Sequence, residues 1–299
     1  MSGSILSFLL AAVVSIPSID TKYAQVAPEL KAKSFERSAD EDRAVVLVQG
    51  LYPHPFSDSN VARAMWQDWQ EPDSELVQTL GRESDVYSLA YAQHVPVHQI
   101  AQAARLKEKV ARLRKLGYTE IVLVGHSAGG LIARQFVEDH PEAGVTKVVQ
   151  VCSPNGGSML GHAEISVRQS QEVFLTSLTK SNREQMLAER SEKRIPEHVQ
   201  FVCLVGHQEC RFDFDLSCRY FSFRPSADVR GDWIVTSCNQ WTRDLQEQGI
   251  PVVPVKACHL WVVQQERGIK EIHRLVREEQ PRWTPARVNA ARRLVLGAD

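Results

Sequence analysis

Short apolar runs rich in β-branched residues alternate with longer amphipathic stretches over most of the chain, and this alternation strongly constrains the fold. Runs without polar alternation are typical of strands buried on both faces of a sheet. Helical stretches between such strands act as crossovers, so the strands become parallel. The sequence therefore predicts an α/β fold, with a mostly parallel sheet flanked by helices. The predicted strands are AVVLVQG (44–50), DVYSLAYA (85–92), EIVLVG (120–125), KVVQVCS (147–153), VQFVCLVG (199–206) and IPVVPVKA (250–257).

Three intervening stretches carry apolar residues at helical intervals, and we predict a helix in each. They are residues 60–80, residues 100–117, where Gly117 ends the pattern, and residues 131–140. Between late strands, residues 158–196 are charged and helical in pattern. We predict a helical insertion there, either a lid or a solvated pair of surface helices.

This organisation divides the chain into three parts. Residues 1–42 are an N-terminal apolar segment and an irregular linker, and residues 43–278 form the α/β domain with its insertion. Residues 279–299 are a basic, amphipathic tail. The tail is predicted to be a helix packed on the domain, with a contact to a membrane surface or partner as the alternative.

Composition excludes some classes of function. The chain is 43% hydrophobic with a formal net charge of −1, so it has no electrostatic footprint for nucleic acid. No apolar run reaches the roughly 18 residues of a membrane span. Residues 5–14 (ILSFLLAAVV) have the length of a signal-peptide core, but no Lys or Arg precedes them. Export and a cytoplasmic location both remain open.

The cysteines do not form a zinc-type pattern, because no two of them are separated by two residues. Cys152 and Cys203 lie in predicted strands and are expected to pack as small core hydrophobes. Cys210 and Cys218 could form a bridge in an oxidising compartment. We predict neither a metal nor a cofactor.

The motif G-x-S-x-G occupies residues 125–129, where a predicted strand ends and a predicted helix begins. A sharp turn between the two elements would hold Ser127 above the edge of the sheet, beside the positive end of the helix. The flanking glycines would let backbone approach backbone closely. We predict that Ser127 is a nucleophile.

A serine nucleophile needs a base, which should follow the last strand of the sheet. His259 does so, whereas His207 follows a strand too early and His273 lies in a charged helical stretch. His126 is excluded because neighbouring side chains on this turn are expected to point apart. His54, His94 and His98 precede the nucleophile.

The acid that orients this base should lie between the nucleophile and the base. Asp232 is the first choice, and Asp228 is the near alternative. Asp213 and Asp215 are more distant ones.

The developing oxyanion needs backbone N–H donors. We predict Ala128, which follows the nucleophile, and Leu51, which follows the strand at 44–50. The stiff tract at 52–56 beyond it is suited to lining an acyl pocket, or is an ordinary rigid loop.

The pattern resembles the α/β-hydrolase family, especially its lipase-like branch. The resemblance covers roughly residues 43–278 and implies the roles proposed above for Ser127, Asp232, His259, Leu51 and Ala128. Two departures are Gln49-Gly50, where the branch usually has His-Gly, and Ser-Pro-Asn in place of Thr-Pro-His. The motifs that carry it are GHSAGG (125–130), QG (49–50), GDWIV (231–235), CHLW (258–261) and SPNGGS (153–158), the last similar to a segment of lipases and inositol-deacylase-like proteins.

We therefore expect a serine hydrolase that cleaves carboxylic esters, lipid or acyl, through an acyl-enzyme. The alternatives are an acyltransferase that remodels lipids and a non-catalytic binding protein on the same fold. The expected partner is an ester or lipid substrate, with contact to a lipid interface left open. Neither nucleic acid nor an obligate protein partner is expected.

Overall fold

A computed structural model describes residues 18–29, 35–38, 41–52, 63–159, 169–207 and 230–297. In this part of the chain seven strands form one sheet in the order β1-β3-β2-β4-β5-β6-β7. All neighbouring strands pair in parallel except β1, which pairs antiparallel to β3. The predicted fold class is confirmed. The strands are β1 Thr21–Ala27, β2 Arg43–Val48, β3 Asp85–Tyr91, β4 Glu120–His126, β5 Lys147–Val151, β6 Gln200–Gly206 and β7 Val252–Val255.

Helices cover both faces of the sheet. Alternate residues of one strand enter opposite cores: Val46 and Val48 pack into one apolar cluster, Val45 and Leu47 into the other. This two-sided burial explains why the strands read as unbroken apolar runs. The helices are α1 Glu75–Leu80, α2 Val97–Ala103, α3 Leu106–Lys115, α4 Ala128–Asp139, α5 Glu172–Thr176, α6 Lys180–Glu189, α7 Ser237–Gln240, α8 Arg243–Glu247, α9 Glu266–Arg277 and α10 Pro285–Leu296.

The prediction of an irregular linker up to residue 42 is wrong over Thr21–Ala27, which forms β1. This strand lies at the edge of the sheet, and the side chains at its start are exposed or half-buried. A polar edge strand lacks the apolar signal of a central one. Its Gln25 is buried and accepts a hydrogen bond from the Glu36 N–H at 3.3 Å.

The single helix predicted over residues 100–117 is in fact two helices, α2 and α3. Arg105 between them adopts a left-handed conformation with φ 52°, which interrupts the helical hydrogen bonds. The apolar spacing survives the break because Ile100 and Val110 enter the same core. The helix predicted at 131–140 is confirmed within α4. Of the predicted helix at 60–80, the structure describes residues 63–80, and among these Glu75–Leu80 forms an α-helix.

The insertion and the tail both contact the domain. In the described part of the insertion, Phe174 on α5 is buried, and Arg190 beyond α6 donates to Glu138 on α4 at 2.9 Å. Whether the insertion acts as a lid remains a prediction. In the tail, α10 buries Val288 and Val295 against the core. None of the described helices is both long and apolar enough to span a bilayer.

Several sequence expectations fall outside the described residues. They are the apolar segment at 5–14, the Pro-rich part of the tract at 52–56, and the bridge between Cys210 and Cys218. Cys152 and Cys203 are buried free thiols, as predicted. Cys258 is disulfide-bonded.

Lys147 on β5 provides a test of how the sheet holds α9. Its buried ammonium donates to the carbonyls of Leu275, Val276 and Glu278, at 3.3, 2.8 and 2.7 Å, at the helix C-terminus. Lys147→Met leaves these acceptors without their donor, so we expect it to lower the free energy of unfolding by about 1–3 kcal/mol in urea denaturation. Lys107→Met, which removes an exposed ion pair with Glu142, is the control. Equal unfolding midpoints for the two variants would contradict this account.

Candidate active site

Ser127 occupies a strained turn between β4 and α4, with φ 53° and ψ −125°. The turn depends on close backbone approach. A Cβ atom at Gly129 would lie 2.1 Å from the Val48 carbonyl oxygen, and one at Gly125 would lie 2.4 Å from the carbonyl carbon of Gly129. Neither position tolerates a side chain without displacement of the backbone. The Ser127 N–H donates to the Val151 carbonyl at 2.8 Å, which ties the turn to β5.

The structure brings Ser127, His259 and Asp232 together in one hydrogen-bonded chain. His259 Nε2 lies 3.0 Å from Ser127 Oγ, and His259 Nδ1 lies 2.7 Å from Asp232 Oδ2. A carboxylate only accepts, so Nδ1 carries the proton and Nε2 is free to accept the serine hydroxyl proton. All three residues are buried, with 7% of Ser127 exposed. The arrangement matches the geometry expected of a nucleophile, a base and an orienting acid.

A short loop fixes the Asp232 carboxylate. Its Oδ1 accepts from the N–H groups of Ile234 and Val235 at 3.1 and 2.7 Å. Trp233 takes a positive φ of 82° to make this turn, and Gly231 pairs with Thr236 across it. These bonds hold the carboxylate in one orientation, with Oδ2 facing His259. The alternatives Asp213, Asp215 and Asp228 lie outside the described residues.

His126 does not point away from the site, as the sequence argument assumed. Its Nε2 donates to the His259 backbone carbonyl at 2.8 Å, and the two rings lie 5.1 Å apart. Burial, and next the charge of His259, lower the pKa of His126 to about 3. His126 is therefore a neutral support beneath His259, because its Nε2 is engaged and it resists protonation. Sequence reasoning missed this role, for which no motif gives a signal.

The loop after β2 lies directly against Ser127. A Cβ atom at Gly50 would lie 2.8 Å from Ser127 Cβ, so Leu51, the next residue, follows at the mouth of the site. Ala128 is the first residue of α4, where N–H groups have no acceptor within the helix. The positions of Leu51 and Ala128 are compatible with a pair of oxyanion donors.

Gln93, just beyond β3, controls the direction of the Leu51 N–H. Its Nε2 donates to the Gly50 carbonyl at 2.7 Å, and its Oε1 accepts from the Tyr52 N–H at 3.0 Å. In a trans peptide the carbonyl and the next N–H point in opposite directions. Holding the Gly50 carbonyl on Gln93 thus turns the Leu51 N–H the other way. Gln171, at the start of α5, donates to Gln93 Oε1 at 3.1 Å and to the Tyr52 carbonyl at 2.8 Å.

Gln49 stands where the family resemblance leads one to expect a histidine. Its Nε2 donates to the Tyr91 carbonyl at 2.9 Å, and the Tyr91 hydroxyl donates back to the Gln49 carbonyl at 2.7 Å. The amide therefore anchors the loop to β3, independently of an imidazole.

One group among the described residues could in principle ligate a metal. A ligand atom from each of Cys152, Asp232 and His259 lies within 4.8 Å of the others. Burial, followed by the charge of Asp232, raises the pKa of the Cys152 thiol, so the thiol stays protonated. Both ring nitrogens of His259 are already hydrogen-bonded. With the thiol protonated and both imidazole nitrogens hydrogen-bonded, the group is better suited to acid–base chemistry than to metal ligation.

The sequence model of the family described as alpha/beta hydrolase fold matches residues 96–251, more than half of the chain. The protein therefore belongs to the α/β-hydrolase family. No curated protein matches the chain in sequence.

Solved structures share the fold at low identity. The mature lipase BlEst2 of Bacillus licheniformis is 14% identical with a TM-score of 0.58, and the match covers 88% of this chain and 99% of that one. Phospholipase PlaB of Legionella pneumophila is 13% identical with a TM-score of 0.59, over 85% of this chain. The match spans 63% of the phospholipase, so part of that protein has no counterpart here.

Substitution of His126 tests its neutral state. With a folded-state pKa of about 3, below its ordinary value of 6.5, His126 binds its proton only in the unfolded chain at intermediate pH. Stability is therefore complete above pH 6.5 and falls as the pH drops toward 3. His126→Asn keeps a donor for His259 without the titration, and should recover about 2 kcal/mol of the stability lost by pH 5. Urea unfolding at pH 7.5 and 5 measures this, with the exposed His198→Asn as control. Parallel losses in wild type and His126→Asn would contradict it.

Proposed function

We propose that the protein is a serine hydrolase that cleaves carboxylic esters, with a lipid or other acyl ester as substrate. The observation that carries the proposal is the hydrogen-bonded chain from Ser127 Oγ through His259 to Asp232, at 3.0 and 2.7 Å. In this proposal Ser127 is the nucleophile, His259 the general base and Asp232 the orienting acid.

The first half-reaction forms an acyl-enzyme. His259 Nε2 takes the proton of Ser127 as Oγ attacks the ester carbonyl carbon, and the oxyanion forms beside the Leu51 and Ala128 N–H groups. Asp232 stabilises the imidazolium, because its Oδ2 accepts from Nδ1. Collapse of the intermediate expels the alcohol, which takes its proton from Nε2.

The second half-reaction reverses these roles with water. His259 removes a proton from the water, hydroxide adds to the acyl carbonyl, and Ser127 leaves with the proton returned by Nε2. Acyl transfer would use the same groups with an alcohol in place of water, so product analysis in glycerol separates it from hydrolysis.

The substrate class rests on two further supports. The structural neighbours named above are a lipase and a phospholipase, and the sequence carries the lipase-like segment at 153–158. A series of 4-nitrophenyl esters from acetate to laurate, with and without micelles, defines the acyl chain preference. An increase in rate above the micellar concentration would indicate action at a lipid interface.

Removal of the nucleophile is the direct test. Ser127→Ala should lower kcat/KM on 4-nitrophenyl butyrate by at least about 10³-fold and abolish labelling by a fluorophosphonate probe. Peptide mapping of the wild type should locate the label on Ser127. The exposed Ser181→Ala is the matched control and should behave as wild type. Undiminished turnover by Ser127→Ala would refute the assigned nucleophile, and a folded wild type without turnover or labelling would indicate a binding protein.

Gln93 tests the oxyanion arrangement. Gln93→Leu removes the donor that holds the Gly50 carbonyl, so the Leu51 N–H is no longer aimed. We expect kcat on 4-nitrophenyl butyrate to fall about 10- to 100-fold with KM nearly unchanged, because the lost contact acts in the transition state. Gln78→Leu removes an exposed glutamine that donates to the Pro72 carbonyl and should leave both constants as in wild type. A rise in KM at constant kcat would show that Gln93 serves substrate binding instead.

A further inference from the structure

A small cavity lies between α4 and α6, away from Ser127 along the helix that follows it. Its volume is about 30 Å³, which accommodates one or two waters or one small ion. Arg134, Gln135 and Glu138 line it from α4, and Arg183 lines it from α6. Asp244 on α8 completes this side.

Arg183 is a buried cation with few partners. Only 2% of the residue is exposed, and its Nε donates to the Asn155 carbonyl at 3.3 Å. Its Nη1 is buried without a hydrogen-bond partner. In the described part of the chain, no carboxylate forms a salt bridge with it. A guanidinium has five N–H donors, and leaving them unmet in a buried site is costly.

The neighbouring carboxylates are committed to other cations. Glu138 accepts from Arg134 at 2.7 Å and from Arg190 at 2.9 Å. Asp244 accepts from Arg134. Asp139, on the exposed side, is bound by Arg190 and Lys193, each at 3.1 Å. Counting these groups with Arg183 gives four cations, Arg134, Arg183, Arg190 and Lys193, and three carboxylates, Glu138, Asp139 and Asp244.

A second unpartnered donor lines the same cavity. Gln135 is 4% exposed, and its Nε2 is buried without a hydrogen-bond partner. Burial, followed by the charge of Arg134, lowers the pKa of Arg183 to about 10. The unpartnered amide shows that the cavity has hydrogen-bond donors without acceptors. The lowered pKa of Arg183 reflects a buried positive charge that is not fully compensated.

We propose that this cavity binds a small monovalent anion, chloride in a cell, between the Arg183 guanidinium and the Gln135 amide. A water molecule could satisfy the donors but would leave the excess charge uncompensated, whereas an anion does both. A cavity of this size favours a small anion. The anion joins the helix that carries the nucleophile turn to the insertion, and supports Asn155 through Arg183.

Chloride-dependent unfolding tests the proposal, and the readout does not depend on enzymatic activity. Sodium chloride replaces sodium gluconate at constant ionic strength, so surface screening is unchanged. Binding to the folded state alone should raise Tm with saturation, by about 2–4 °C at tenfold Kd, with bromide able to replace chloride. A wild-type Tm that does not depend on the anion would overturn the proposal and leave water as the occupant.

Two variants locate the effect. Gln135→Glu, nearly isosteric, places a carboxylate in the cavity, so its Tm in gluconate should rise to the wild-type value in chloride and the chloride response should vanish. Arg183→Met should also lose the response. Arg243→Gln, which removes an exposed ion pair with Glu247, should keep it. A wild-type chloride response in Gln135→Glu would overturn the assignment to this cavity, even if Arg183→Met does not fold.

Discussion

Gly129 lies against the end of β2 so closely that a side chain there would collide with the carbonyl oxygen of Val48. This contact lets α4 begin directly above the sheet. It therefore places Ser127, Ala128 and the loop at Gly50 within one small volume. A wider turn would move the helix outward and separate the two proposed oxyanion donors. Backbone packing thus places Ser127, and the hydrogen bonds of His259 to Ser127 and Asp232 complete the site.

The surroundings fix the orientation or the protonation state of several buried groups in the site. Asp232 receives three N–H donors, which fix the direction of its carboxylate. His126 is kept neutral by burial, and the Cys152 thiol is kept protonated. Among these groups, His259 is the one whose Nε2 can either accept a hydrogen bond from Ser127 Oγ or donate one to it. The Arg183 cavity contrasts with this arrangement, because there a buried charge lacks a protein counterpart within salt-bridge distance in the described part of the chain.

The sequence predicted the parts of the fold in which consecutive residues are all buried. The central strands bury both faces, so their apolar runs are unambiguous, while β1 at the edge is too polar to recognise. The break at Arg105 could not be recognised in the sequence, because α2 and α3 continue the same spacing of apolar residues. The order of Ser127, Asp232 and His259 was readable because the connectivity of such a sheet places them at the same edge, and the structure brings them together. Their catalytic roles remain a proposal.

The supporting contacts were not predictable. His126 bonds to a backbone carbonyl 133 positions along the chain, and Gln93 bonds to another 43 positions away. Neither contact depends on a residue pattern, since a backbone carbonyl is present at every position. Such contacts emerge only when distant segments are placed side by side.

The loop at Asp232 satisfies its own hydrogen bonds. The carboxylate is capped by N–H groups two and three residues later, and Gly231 pairs with Thr236 across the turn. Both of these donors lie within three residues of the acid. The local backbone therefore sets the direction of this carboxylate oxygen. The orientation of the acid is thus encoded in a short segment of the sequence and travels with that segment.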